Sequence, residues 1–152
     1  MQRNRIGEIK RCIFENMSGL VYLGLHYNKI EHLDFGVFSG LINLQHINLA
    51  GNELLKLHPD LIVGLTKTES LYLDGNFYLQ IPTDRHFITS LSLKCLSITH
   101  CNIVSVSVET FANVTALETL DLSYTYLSSM DINILKSLPK LSAMPLYKCP
   151  SY

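Results

Sequence analysis

The sequence lacks most of what marks a site of chemistry. It contains no run of about 18 or more apolar residues, which removes a membrane-spanning helix from within it. Its 12 basic and 13 acidic residues leave a net charge of −1 with no basic patch, so nothing invites nucleic acid. There is no Gly-rich phosphate loop and no amphipathic basic helix. Neither Cys-x-x-Cys nor His-x-x-x-His occurs, and His26, His32, His46, His58, His86 and His100 fall at different phases of the pattern described next. No metal site and no cofactor is therefore expected. No linker, low-complexity run or charge block divides the 152 residues, which read as one domain.

What the chain has instead is a beat. Leu20, Leu44, Thr68, Leu93, Leu117 and Leu141 open units 24 residues long, with one spacing of 25 between Thr68 and Leu93. Leu23, Ile47, Leu71, Leu96, Leu120 and Met144 follow, and two residues later Leu25, Leu49, Leu73, Ile98, Leu122 and Leu146. This alternation predicts a short strand with one buried face. Further on, Ile30, Leu54, Tyr78, Ile103 and Leu127 begin an apolar return segment that continues through Leu33, Leu57, Ile81, Val106 and Met130 and closes on Phe38, Ile62, Phe87, Phe111 and Leu135. The extra residue is expected between Ile81 and Phe87, bulging from the back. One such unit cannot bury its own apolar edge, whereas stacked coils share a continuous interior.

Eight positions into each unit stand Asn28, Asn52, Asn76, Cys101, Thr125 and Cys149, and Asn4 holds the matching place in a first, partial unit with Ile6, Ile9, Phe14 and Met17. Asn at this place is expected to form a ladder: where the chain turns inward from the strand, a buried amide supplies both a donor and an acceptor to backbone groups. Cys and Thr can do part of this, so the ladder should weaken from residue 93 onward. Cys101 and Cys149 lie in one column two coils apart, about 9 to 10 Å, beyond disulfide reach. Cys95 sits in the same extended strand as Cys101, and Cys12 on the back of the first coil, so no intrachain disulfide is expected.

On these residues the chain resembles the leucine-rich repeat family across essentially its whole length. The resemblance implies an α/β fold: a curved, right-handed leucine-rich repeat solenoid with a parallel sheet on the concave face and loops with short helical turns on the convex face. A single domain 1–152 divides into a partial repeat 1–19, repeats 20–43, 44–67, 68–92, 93–116 and 117–140, and a partial repeat 141–152. The 24-residue unit with a late Phe, as in FGVFSGLINLQHINLAGNEL, is similar to the extracellular subclass of Toll and Toll-like receptor ectodomains and insect cell-surface proteins. The ending LSAMPLYKCPSY resembles the start of the family's C-terminal cap, with Cys149-Pro150 where Asn-Pro is usual and no cysteine cluster after it.

Two sequons, Asn16-Met-Ser and Asn113-Val-Thr, share one phase of the repeat on the returning segment, where a glycan would not block stacking. They support an extracellular or cell-surface parent, although the polar opening MQRNRIGEIKRC has no signal-peptide core. A chain that starts within a repeat reads as a segment of something longer.

Phase alone places Tyr22, His26, Tyr27, His46, Asn48, Tyr72, Asp74, Cys95, Thr99, His100, Asp121, Ser123, Tyr124, Tyr147 and Lys148 outward on the sheet. Tyr22 should neighbour His46, and His100 should neighbour Tyr124. Tyrosine carries a large apolar body with a polar tip at low conformational cost, which suits protein recognition. Ser123, Asp121 and His100 are near one another by phase, but an open strand surface offers no oxyanion donors and excludes no water, so no enzyme is expected. The reading is a protein-interaction module that meets a protein ligand or co-receptor through its concave sheet, in recognition, adhesion or innate-immune signalling. A cytosolic adaptor and a fragment without independent function are the alternatives.

Overall fold

In the computed structural model, which describes residues 4–149, each of the five full units opens with a strand of the predicted phase. Pro150, read as part of the cap-like ending, lies outside the described residues. The strands are β1 Tyr22–Gly24, β2 His46–Asn48, β3 Ser70–Tyr72, β4 Cys95–Ser97, β5 Ser105–Val106, β6 Thr119–Asp121 and β7 Ser129–Met130. β1, β2, β3, β4 and β6 form one parallel sheet in that order, and Ala143 extends it by a bridge to Thr119. On the opposite side β5 pairs with β7, also in parallel. Among the described residues the helical content is one 3-10 turn at Glu109–Phe111 and one α-helical turn, α1, at Ile134–Ser137.

The register is that of the repeat: Leu23, Ile47, Leu71, Leu96 and Leu120 stand side by side across the sheet. Each is buried, as are Leu25, Leu49, Leu73, Ile98 and Leu122 behind them. Phe14, Phe38, Phe87 and Phe111 close the coils from the back, with Ile62 in the third place, and all are buried. The Phe14 and Phe38 rings lie 6.1 Å apart. Thr68, the one polar residue that opens a unit, is fully buried because its hydroxyl donates to the Leu44 carbonyl at 2.8 Å.

The asparagine ladder forms. Asn28, Asn52 and Asn76 each donate Nδ2 to the carbonyl three residues earlier, Leu25, Leu49 and Leu73, at 2.7–2.8 Å. Asn52 and Asn76 also donate to the preceding coil, at Leu25 and Leu49, both at 3.1 Å. Their Oδ1 atoms accept the backbone N–H groups of Ile6, Ile30 and Leu54. From Cys101 onward the donor half persists and the link to the preceding return segment is gone: the Cys101 thiol donates to Leu73, Thr125 Oγ1 to Leu122 and the Cys149 thiol to Leu122. All four cysteines are free thiols. Burial pushes the Cys101 thiol up to about 12, which keeps it neutral at physiological pH.

Four details differ from the sequence reading. The extra residue lies at Phe77–Tyr78, not between Ile81 and Phe87: Leu79 is buried where Tyr78 was expected, and Tyr78 is exposed. The coil contacts show the same shift, with Leu55 N bonding to Glu31 O and Gln80 N to Leu55 O, while Ser107 Oγ reaches Thr83 O in normal spacing. The insertion faces Cys101, where no side-chain oxygen remains to hold the return segment, and Leu79 N turns to Asn76 O instead. In the last full unit Ile134 is buried and Leu135 is exposed, because α1 rotates the closing position by one residue. At the first partial unit Asn4 and Met17 are exposed, since no coil among the described residues packs outside them. Ser123 is buried, for a reason given below.

Candidate recognition face

The outward face of the sheet is built in columns that run across the coils. One strand register aligns Tyr22, His46, Ser70, Cys95 and Thr119, and the next aligns Gly24, Asn48, Tyr72, Ser97 and Asp121. Tyr22 therefore neighbours His46 as expected. Tyr22, Tyr27, His100, Tyr124, Tyr147 and Lys148 are exposed, whereas His26, His46, Asn48, Tyr72, Asp74, Cys95, Thr99 and Asp121 are half-buried.

Several of the polar side chains have structural tasks. Oδ1 of Asn48 and of Asp121 accepts the N–H two residues on, from Ala50 at 3.0 Å and Ser123 at 2.9 Å. These bonds fold the chain out of the strand. Asp74 Oδ1 accepts from Thr99 N at 2.9 Å, Thr99 Oγ1 at 2.8 Å and Ser97 Oγ, which pins its carboxylate across two coils. Ser123 was expected to point out, but its small hydroxyl turns down and accepts Tyr147 N at 3.1 Å. Ser123, Asp121 and His100 accordingly do not converge: Asp121 holds a backbone amide and His100 lies on Tyr124. Among the described residues no three His, Cys, Asp or Glu side chains gather as metal ligands.

Beside the sheet runs a column with left-handed backbone, immediately before the ladder: Tyr27 (φ 55), Gly51 (φ 63), Gly75 (φ 68), His100 (φ 54), Tyr124 (φ 59) and Lys148 (φ 55). A side chain here costs roughly 1–2 kcal/mol of backbone strain, yet four of the six residues are not glycine. What the conformation gives in return is a rim of side chains laid flat along the coils. The Tyr27 ring occupies the space above Gly51, where an added Cβ would stand 2.6 Å from Tyr27 Cδ1. Within β1, Tyr22 folds over Gly24 two residues on, where an added Cβ would stand 2.9 Å from Tyr22 Cε1. At the other end His100 stacks on Tyr124 with centroids 4.5 Å apart and planes 9° from parallel, and Lys148 Nζ lies 5.5 Å from the same ring. Two aromatic clusters thus flank a centre of smaller residues, Ala50, Gly75, Ser70 and Ser97. Sequence reasoning found the aromatics and missed the bed they lie on, although the Gly51 and Gly75 coincidence in phase was a usable sign.

Gly51→Ala should cost more than Gly75→Ala. Both strain the backbone by about 1–2 kcal/mol, but only the first meets an aromatic ring; at Gly75 a Cβ finds backbone at an ordinary 3.7 Å. Thermal unfolding of the two variants, together with Tyr27 fluorescence or ring resonances, checks this ordering.

An open concavity of about 790 Å³ lies on the convex side along the 80–87 segment, where Phe35 meets His58 at 5.1 Å. It joins none of the sheet residues. Charges near the sheet are few and local: Lys94 Nζ bridges Glu69 at 2.8 Å, a bond that lowers the glutamate pKa and raises the lysine's.

A solenoid of parallel coils with an aromatic-rimmed sheet face is the architecture of a leucine-rich repeat scaffold. The chain belongs to the leucine-rich repeat family, whose model matches residues 1–54, 25–77 and 92–149. A comparison with curated protein sequences found no match. Among solved structures, the chain is similar to TLR13 in the TLR13–ssRNA13 complex, with a TM-score of 0.79 and 24% identity over 88% of this chain and 19% of that one. It is also similar to a chain of the octameric complex of latrophilin 3, Unc5D and FLRT2, whose leucine-rich repeat component is FLRT2, with a TM-score of 0.75 and 23% identity over 87% and 40%. For Drosophila Toll–Spatzle the values are 0.69 and 18% over 96% and 22%. These likenesses establish the fold, and the chain spans less than half the length of each of these three structures. No helix among the described residues is long and apolar enough to cross a membrane.

Proposed function

We propose that this chain is part of an extracellular or cell-surface leucine-rich repeat protein and binds a protein ligand or co-receptor through its concave sheet. The observation that carries the reading is the aromatic rim: Tyr22, Tyr27, His100 and Tyr124 are exposed yet laid against glycine or against one another. Aromatics already ordered before binding lose little freedom on contact and serve as anchors. The similar structures support a protein partner, since the Toll and FLRT2 structures are protein complexes. TLR13 is seen with ssRNA13, but here Glu69, Asp74, Glu118 and Asp121 outnumber Lys94 and Lys148 around the sheet, which suits a protein better than a polyanion. The exposed Asn16 of the first sequon suits passage through a secretory pathway.

Screening the secreted protein against a panel of cell-surface and secreted ectodomains would supply the ligand. Tyr124→Ala should then weaken binding about 10- to 30-fold with little change in Tm, in line with the roughly 2 kcal/mol of an aromatic anchor. Tyr78→Ala, on the convex side, should leave affinity unchanged. Equal losses from the two variants would defeat the proposal, and a secreted protein without sugar at either sequon would argue for the cytosolic alternative.

A further inference from the structure

We infer that Asn113 carries an N-linked glycan whose first sugars fold back into an apolar cleft on the flank of the solenoid, so that the sugar completes the packing of the chain. The inference rests on the extracellular reading above. Asn16, Gly40, Gly64, Thr89 and Asn113 occupy one column, four residues before each unit opens. In that column the wall is closed at Gly40, where a Cβ would stand 3.1 Å from the Glu15 carbonyl oxygen, and open at Gly64, where it would meet nothing within 4 Å. The opening is a cleft of about 240 Å³ between Ile62, Val63, Gly64 and Leu65 on one coil and Thr89 and Leu91 on the next. No charged residue lines it.

Three features fit a neutral sugar. Leu91 is 84% exposed and Val63 53%, so the rim is apolar without cover and suits the C–H face of a pyranose or an acetamido methyl. Thr89 Oγ1 is buried with no partner among the described residues, and a sugar hydroxyl or acetamide would satisfy it. Asn113 is in direct contact with this wall: its carbonyl accepts Ser90 N at 3.0 Å. The tether raises the local sugar concentration to roughly millimolar or above, ahead of any free ligand. The cleft is smaller than the roughly 300–1,000 Å³ of a site for a drug-sized molecule and large enough for a single ring. Attachment is the ordinary transfer from a lipid-linked diphospho-oligosaccharide: the Asn113 amide nitrogen bonds to the anomeric carbon and loses a proton as the lipid diphosphate leaves.

The test uses the chain secreted from cells that make only high-mannose glycans, compared with Thr115→Ala, which destroys the sequon at an exposed position and keeps Asn113. Peptide mass spectrometry reads occupancy at Asn16 and Asn113, and hydrogen exchange reads the Ser90 and Ser92 amides. Exchange roughly tenfold slower in the glycosylated protein than in Thr115→Ala is expected. The protection should survive trimming to the first sugar by endoglycosidase and vanish with Leu91→Ser. An occupied Asn113 with unchanged exchange overturns the packing inference alone. Sugar at Asn16 with Asn113 bare overturns it and leaves the extracellular reading intact, whereas sugar at neither site overturns both.

Discussion

Asn52→Ala is expected to remove about 3–5 kcal/mol of folding free energy, from a total that for a chain of this kind is about 5–15 kcal/mol. The Asn52 amide is buried and serves three backbone groups that have no water to turn to: it donates to Leu49 O at 2.8 Å and Leu25 O at 3.1 Å and accepts Ile30 N at 3.1 Å. Each group left unsatisfied costs about 1–3 kcal/mol. Asn52→Asp keeps the acceptor but sets an oxygen against the Leu49 and Leu25 carbonyls and, when ionised, buries a charge with no counter-ion, so it should cost at least as much as Asn52→Ala. Thr125→Val removes a single donor, the bond to Leu122 O at 2.7 Å, and should cost about 1 kcal/mol. Urea denaturation of the three variants checks the order; an Asn52→Ala loss no greater than that of Thr125→Val would show that the ladder is not what supports the turns.

Phe111→Ala should be of similar size, about 3–5 kcal/mol, by a different route. Its ring is fully buried at the end of the 3-10 turn, in a wall fixed by Thr110, whose hydroxyl donates to Pro82 O at 2.9 Å and accepts Ser107 N at 3.0 Å. Those bonds restrain the coil from collapsing into the void, so the cavity term is added to the lost transfer energy. Phe35→Ala removes an equal ring from a half-exposed site and should cost about 0.5 kcal/mol or less. A shared loss would mean that the back of the solenoid relaxes freely. Far-UV circular dichroism during thermal unfolding measures both.

The fold was legible because a solenoid imposes the same burial on every unit, so phase sorted Leu23 from Tyr22 and Leu25 from His26 without knowledge of tertiary contacts. The misses fall where two neighbours could serve equally. Tyr78 and Leu79 are both apolar, and so are Ile134 and Leu135; pattern alone cannot say which turns inward, and the backbone decides by an inserted residue in one case and a helical turn in the other. Ser123 was misplaced because a hydroxyl small enough to turn under the chain obeys hydrogen bonding rather than phase. The candidate face divides in the same way. Which residues point outward could be listed, but the sign of φ at Tyr27, His100, Tyr124 and Lys148 is not a property of a hydrophobic period, and with it went the flat arrangement of the rim.

That rim also implies a grammar between neighbouring repeats. A large ring in one coil takes the volume that a Cβ would occupy in the next, as Tyr27 does over Gly51, unless the next residue stacks on it as a flat ring, as Tyr124 does on His100, or reaches over it as a cation, as Lys148 does on Tyr124. Substitutions along this column are therefore not independent: a tyrosine calls for a glycine, a stacking ring or an overlying cation one repeat later. Descent with change at such a surface should proceed by paired replacements in adjacent units, each pair confined to its own two coils.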